Sequence, residues 1–288
     1  MDALISEVKR LADTLQRALP PAHPSPNFES GIAFRWRSHS QGGWLETVRD
    51  LSPIRLSDLR NIDRQLTEIR RNTEQFVHKL PANNVLLTGS RGTGKSSLIR
   101  ALLNEFSAHG LRIIEVDKHL LHELPDIVEQ LHARPERFII YCDDLSFNDD
   151  DASYRALKTT LDGSLHAGAD NVLIYATSNR RHLLPEYLQE NQQLHRAENG
   201  EIHPGEVVDD KVSLSDRFGI WLTFYPNNQE DYLAAVEVWL SKLGYLLDDA
   251  SRVAALQWAM TRGNRSSRTA SQFARDWAGR QALQKLTR

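Results

Sequence analysis

The 288-residue chain has a single cysteine, Cys142, so it can close no disulfide within itself and cannot build a cysteine-cluster zinc or iron–sulfur site. A reducing compartment fits. Long apolar runs are missing too: the longest are about five residues, against the ~20 that a bilayer-spanning helix requires. The N-terminus, Met1 to Glu7, carries acid where a secretory leader would be basic. These absences predict a cytoplasmic protein with no membrane segment. Glycine and proline are scarce, 15 and 11 residues, about 9% of the chain, which excludes collagen-like and low-complexity classes. Charge of one sign is not in excess either. Thirty-five Lys and Arg stand against 38 Asp and Glu, a net −3, so nucleic acid or an anionic membrane would need a local basic patch.

What is present is 40% apolar and 25% charged residues, the balance of a soluble globular protein sized between one large domain and two. Residues 2–19 place Leu4, Val8, Leu11 and Leu15 on one helical face, ended by Pro20-Pro21. That face reads either as a docking or oligomerisation helix or, the reading the pattern favours, as packing on its own domain. A proline-rich linker follows, then a segment with Phe28, Phe34, Trp36 and Trp44 expected to lie on the main body. Residues 1–50 thus form an N-terminal region.

From Ile62 the stripe Ile62, Leu66, Ile69, Thr73, Phe76 and Leu80 steps by three and four and predicts a helix, broken at Pro81 to Asn84. Short apolar runs then alternate with helical patterns: Val85 to Thr88, Leu111 to Val116, Phe138 to Cys142, Val172 to Ala176 and Ile220 to Phe224. Such runs suit strands buried on both faces of a parallel sheet, which predicts a three-layer α/β domain over 51–226. Beyond Pro226 only helical patterns remain, at Asp231 to Leu243, Asp248 to Arg262 and from Ser267 onward, so 227–288 reads as a small helical domain.

Directly after the first of these strands comes Gly89-Ser90-Arg91-Gly92-Thr93-Gly94-Lys95-Ser96, matching the phosphate-loop pattern G-x-x-x-x-G-K-[ST], with a helix-forming stretch from Ser97 behind it. The glycines let successive N–H groups turn toward an anion at a helix N-terminus. Lys95 adds a point charge, and the Ser96 hydroxyl can ligate Mg²⁺. A dinucleotide-binding G-x-G-x-x-G is not the spacing here. The run Phe138 to Cys142 ends in Asp143-Asp144: Asp143 suits the metal side, and Asp144 either polarises an attacking water or caps the chain locally. Asp149 to Asp151 read as a solvated helix start. The fourth run ends in Thr-Ser-Asn179, an amide able to hold water or a phosphate oxygen, or a plain turn residue. Arg180, Arg181 and His182 read as contact or solvated residues. Arg217, just before the fifth strand, reads equally as a group reaching a neighbouring subunit or as a surface ion pair with Asp216. Arg265 and Arg268 open the last helix, where an arginine could swing onto a terminal phosphate.

This ordered set resembles the AAA+ ATPases, from about residue 50 to 288. Within them the chain is similar to a bacterial ATP-binding family filed as domain of unknown function 815, through Val85 to Ser97, Cys142 to Phe147, Tyr175 to Leu183 and Ser213 to Gly219. The resemblance implies a P-loop core with a parallel sheet, a C-terminal helical lid, and Mg²⁺-dependent ATP hydrolysis in an assembly whose sites are completed by the next protomer. Carried over, Gly89 to Ser97 hold the phosphates, Ser96 and Asp143 the Mg²⁺, Asp144 takes the catalytic acid's place and Asn179 falls at sensor 1. Arg217 falls at the arginine finger and Arg268 at sensor 2, with Arg265 also in range. Asp144 stands where the wider superfamily carries Glu, a departure that bears on the rate. Leu59 to Ile62 resemble the adenine-pocket segment. No aromatic-glycine pore loop is present, which counts against a threading unfoldase.

The resemblance therefore implies a homo-oligomer acting on a protein partner that the residues do not identify. Two alternatives stand beside it. One is a nucleotide-dependent DNA loader, resting on Arg262, Arg265, Arg268, Arg275, Arg280, Lys285 and Arg288 against Asp276, which read more readily as a solvated helix face. The other is a P-loop kinase, which needs an acceptor pocket.

Overall fold

The computed structural model describes residues 4–10, 25–39, 42–147, 152–161, 170–180, 195–196, 202–203 and 214–286. Its centre is a seven-stranded sheet: β1 (Ala33–His39), β2 (Gly42–Thr47), β3 (Val85–Gly89), β4 (Leu111–Glu115), β5 (Arg137–Cys142), β6 (Val172–Ser178) and β9 (Ile220–Phe224). A separate two-stranded pair, β7 (His195–Arg196) and β8 (Ile202–His203), lies outside it. The order is β2-β1-β4-β5-β6-β3-β9, parallel throughout except for the β1–β2 hairpin. Strand β3 therefore sits between β6 and β9, with Thr88 beside Ser178 and Gly89 beside Phe224. That register brings the end of the phosphate loop's strand level with the ends of its neighbours.

Alternate residues of each strand point to opposite faces, and both faces are covered. Leu86, Ile140, Ile174 and Ala176 join one core cluster with α3 (Leu124–Leu131) and α4 (Ala152–Leu161). Val85, Leu87, Ile139, Tyr141 and Tyr175 join the other with α1 (Asp63–Val77) and α2 (Lys95–Phe106). Burial on both faces is why these strands read as continuous apolar runs. Tyr175 is fully buried, and its hydroxyl meets Asn72 and Thr73 of α1 at 3.0 and 2.9 Å. Thr73 of the predicted stripe is thus a polar anchor in the core. The stripe stops short of Leu80, which is exposed because the helix ends at Val77 and Lys79 turns at φ 61°.

The hairpin β1–β2 is the main addition to the predicted sheet. Phe34 and Trp36 are buried under it, and Glu123 accepts from Trp36 Nε1 and Ser38 Oγ, both at 2.6 Å. At the other end, α5 (Gln229–Lys242), α6 (Asp249–Thr261) and α7 (Ser267–Leu286) enclose their own core around Tyr232, Val236, Leu240, Ala255 and Phe273. Capping boxes at Asn228–Asp231 and Asp248–Ser251 start α5 and α6. This helical unit is tied to the sheet domain by Lys242–Asp58 at 2.6 Å and by the Asn61 amide on the Asp231 carbonyl at 3.2 Å.

Residues 4–10 are helical, and Leu4, Ile5 and Val8 within them are exposed, while Leu11 and Leu15 of the same predicted face lie outside the described residues. Among the described residues, no neighbouring apolar surface covers it. The rest of that predicted helix, and Asp149 to Asp151, Arg181 and His182, lie outside the described residues. Among the described residues no helix is long and apolar enough to cross a membrane.

Candidate functional site

The phosphate loop bridges β3 and α2, and two of its glycines are required by their surroundings. Gly89 has φ 126° and lies so close to β9 that a Cβ there would stand 2.0 Å from the Phe224 carbonyl oxygen. Gly92 has φ 78°, and a Cβ would meet Ser266 at 2.7 Å. Each position combines left-handed backbone with contact no side chain could share. Lys95 is the first residue of α2 and is buried, its Nζ donating to the carbonyls of Gly89 at 2.6 Å and Ser90 at 2.8 Å. Burial lowers its pKa, opposed by the nearby charges of Asp143 and Asp144.

Two strand tips converge on this lysine. From β6, Asn179 turns its Oδ1 to Lys95 Nζ at 3.2 Å and donates its amide to Asp144 Oδ1. From β5, Asp143 Oδ1 accepts from Ser96 Oγ at 3.0 Å and from Thr177 Oγ1 at 2.5 Å. Burial would raise the Asp143 pKa, but the donating Thr177 and Ser96 hydroxyls and the charge of Arg100 outweigh it, so the carboxylate stays below its usual range. Asp144 has φ 54°, its N–H donates to Thr177 Oγ1 at 3.0 Å, and its Oδ2 is 3.3 Å from Arg91 Nη2. Thr177 therefore orients both acids. Its place two residues before Asn179 was visible in the sequence, but a threonine there carries no signal without the neighbouring strand.

The cleft over the loop has a volume of about 740 Å³. Its far wall is the polar stripe of α7, Arg268, Ser271, Gln272 and Arg275, at positions i, i+3, i+4 and i+7. Arg268 enters this cleft; Arg265 instead borders a separate cavity on the opposite side of the loop. The main chain fastens the two domains here, Ser267 N–H donating to the Gly92 carbonyl at 3.0 Å. Ile54, Leu59 and Ile62 form a narrow crevice of about 40 Å³ with Ala235 and Trp239 of α5, next to Gly94 and Ser97. Arg217 lies in the half-buried turn before β9 and is not among the described residues lining the cleft.

The family model described as a protein of unknown function (DUF815) matches residues 29–281. The chain belongs to that family. Solved structures of the RuvB Holliday junction branch migration motor of Thermotoga maritima share its fold. One matches with a TM-score of 0.51 at 16% identity over 77% of this chain and 63% of that chain. A point mutant of the same motor gives 0.53 at 14% identity over 77% and 64%, and a second point mutant 0.53 at 15% over 78% and 65%. This chain thus spans less than two thirds of the RuvB chains' length. No curated protein matches the sequence. The α/β core with its helical C-terminal unit is the AAA+ fold that the phosphate loop, paired acids and strand-end amide led one to expect.

The residues present fit a magnesium-bound nucleoside triphosphate. Ser96 Oγ and Asp143 supply hard oxygen donors side by side, the class of ligand Mg²⁺ takes. Lys95 and the α2 N-terminus offer positive charge at the loop, and Arg268 and Arg275 face them from α7.

Proposed function

We propose that this family member is a Mg²⁺-dependent ATPase of the AAA+ type that couples hydrolysis to its own assembly or to remodelling a protein partner. The observation that carries the reading is the convergence of Asp143, Asp144 and Asn179, from two strand tips, with Ser96 of α2 around Lys95. In this reading Gly89 to Ser97 cradle the phosphates, while Ser96 and Asp143 hold Mg²⁺, which when bound neutralises phosphate charge. Asp144 orients the water, whose oxygen bonds to the terminal phosphorus. The bond from that phosphorus to the bridging oxygen breaks, ADP leaves with the electron pair, and the water's proton passes by way of Asp144 to solvent. Asn179 keeps Asp144 and Lys95 in register, Arg268 closes from the lid, and Arg217 acts on a neighbouring subunit's nucleotide. The base would lie along Leu59 to Ile62 once α5 moves aside to widen the crevice. Residues 51–226 serve as nucleotide domain, 227–288 as lid, and 1–50 as an appendage, in a cytoplasmic homo-oligomer.

A loader acting on DNA has less support, because three of its basic residues are engaged at home. Arg280 pairs with Asp276 at 2.9 Å, Arg262 lies 4.0 Å over Trp258, and Lys285 lies 5.6 Å over Tyr245. A kinase reading has one point in its favour, a second cavity on the far side of Asp143 and Asp144 where an acceptor could sit. Phosphate release equal to ATP consumed, with no acceptor added, separates hydrolysis from transfer. Calorimetry with MgATP, and mass in solution with and without a slowly hydrolysed ATP analogue, test nucleotide binding and assembly together. Absence of binding heat together with unchanged mass would end the ATPase reading.

A further inference from the structure

The loop carries an arginine whose side chain the phosphate cradle itself does not require. A cradle is built from backbone N–H groups, a lysine and a hydroxyl. Arg91 adds a guanidinium, 74% exposed, whose Nη2 stands 3.3 Å from Asp144 Oδ2. Asp144 accepts the Asn179 amide on its other oxygen, and Asn179 accepts from Lys95, so Arg91 is the outer end of a polar chain that runs to the phosphate-binding lysine. It borders both the 740 Å³ cleft and the cavity of about 520 Å³ on the lid side of the loop. The long side chain therefore has room to swing, while its backbone is held by the Ser267 hydrogen bond to the adjoining Gly92.

We propose that Arg91 is a catalytic arginine supplied within the same subunit, exchanging Asp144 for the terminal phosphate when nucleotide binds. This rests on the ATPase reading above and deepens it. An ion pair this exposed and this long is weakly held, whereas a terminal phosphate brings more negative charge and the geometry a guanidinium grips with two parallel hydrogen bonds. The exchange has two effects on one reaction. It frees an oxygen of Asp144 to orient the attacking water, and it places positive charge where the transferring phosphoryl's oxygens gain it as the bridging bond breaks. Arg217 must come from a second subunit to act on this site in the proposed scheme. Arg91 is already in the cleft, so an isolated subunit retains slow hydrolysis.

The test uses full-length wild type, Arg91→Ala and Arg91→Lys, each diluted until mass measurement gives a monomer. Affinities for Mg·ADP and for Mg·ADP with aluminium fluoride, which imitates the phosphoryl in flight, are read by calorimetry alongside single-turnover hydrolysis. Arg91→Ala is expected to hold Mg·ADP within about threefold while losing about a hundredfold in affinity for the fluoride complex and a similar factor in rate, with Lys falling between. Equal losses for both ligands, an unchanged rate, or a faster rate from an Asp144 released of its partner would each overturn the proposal. If the wild type takes up no Mg·ATP, the ATPase reading itself fails and carries this inference down with it. If the wild type binds and turns over while the Ala variant matches it, only the role of Arg91 falls.

Discussion

Two cavities of similar size meet at Asp143 and Asp144, the phosphate-loop cleft of about 740 Å³ and a pocket of about 650 Å³ walled by β1 and the end of β4. Both are polar and both hold arginines, yet their charges are disposed in opposite ways. In the pocket, Arg35 pairs with Glu115 at 2.7 Å, Arg37 pairs with Glu46 at 2.8 Å, and Asp117 accepts the His119 N–H at 3.0 Å. Both of its arginines are spent on acids. In the cleft, Arg100, Arg268 and Arg275 have no ion-pair partner among the described residues, and Lys95 donates only to neutral oxygens. Volume does not distinguish the two. What does is an excess of positive charge, Arg91, Lys95, Arg100, Arg268 and Arg275 over Asp143 and Asp144, beside backbone that only glycine can adopt, the disposition an anion requires.

The most direct way to break this contrast is to exchange the lesions. Lys95→Ala should lower MgATP affinity by at least about a hundredfold in calorimetry, and Arg35→Ala should change it less than twofold. Comparable losses would mean that the pocket, too, meets the nucleotide. Arg217→Ala should leave that affinity intact and, at concentrations where subunits associate, reduce hydrolysis about a hundredfold toward the rate of the isolated subunit. Hydrolysis equal to wild type under those conditions would remove the inter-subunit role.

On the pocket side the expected effects fall on stability. Glu123→Ala strips the acceptor from the buried Trp36 N–H, and urea unfolding should show a loss of about 2 kcal/mol with nucleotide affinity unchanged. The smallest effect expected is in the acid range. Because Asp143 is held below its usual pKa, its charged form stabilises the fold fully above about pH 4, and that stability is lost as pH falls through the lowered value. Wild type should therefore lose stability more steeply than Asp143→Asn below pH 4. Parallel curves in acid titrations followed by circular dichroism would show that the carboxylate's hydrogen bonds contribute nothing net.

The strands flanking the cleft could be read from the chain because burial on both faces makes them unbroken apolar runs. Strand β1 was legible in principle, since Phe34 and Trp36 alternate with Arg35 and Arg37. Its place was not. Ala33 to Arg35 pair in parallel with Ile113 to Glu115, 80 residues onward, and no local feature names that partner. Arg265 and Arg268 likewise share a residue type and a helix start. Only the way α7 leans on the loop puts one in the cleft and the other behind it.

From sequence alone came the loop, its lysine and hydroxyl, the twin acids and the strand-end amide, because each depends on contiguous residues whose backbone preferences and side chains are set locally. Only the tertiary structure decided that Thr177 would orient both acids, that Arg91 would reach Asp144, and that the pocket behind them would neutralise itself. Those contacts join residues from separate strands and loops. Strand order and register choose such partners, and both are settled by how the whole core packs.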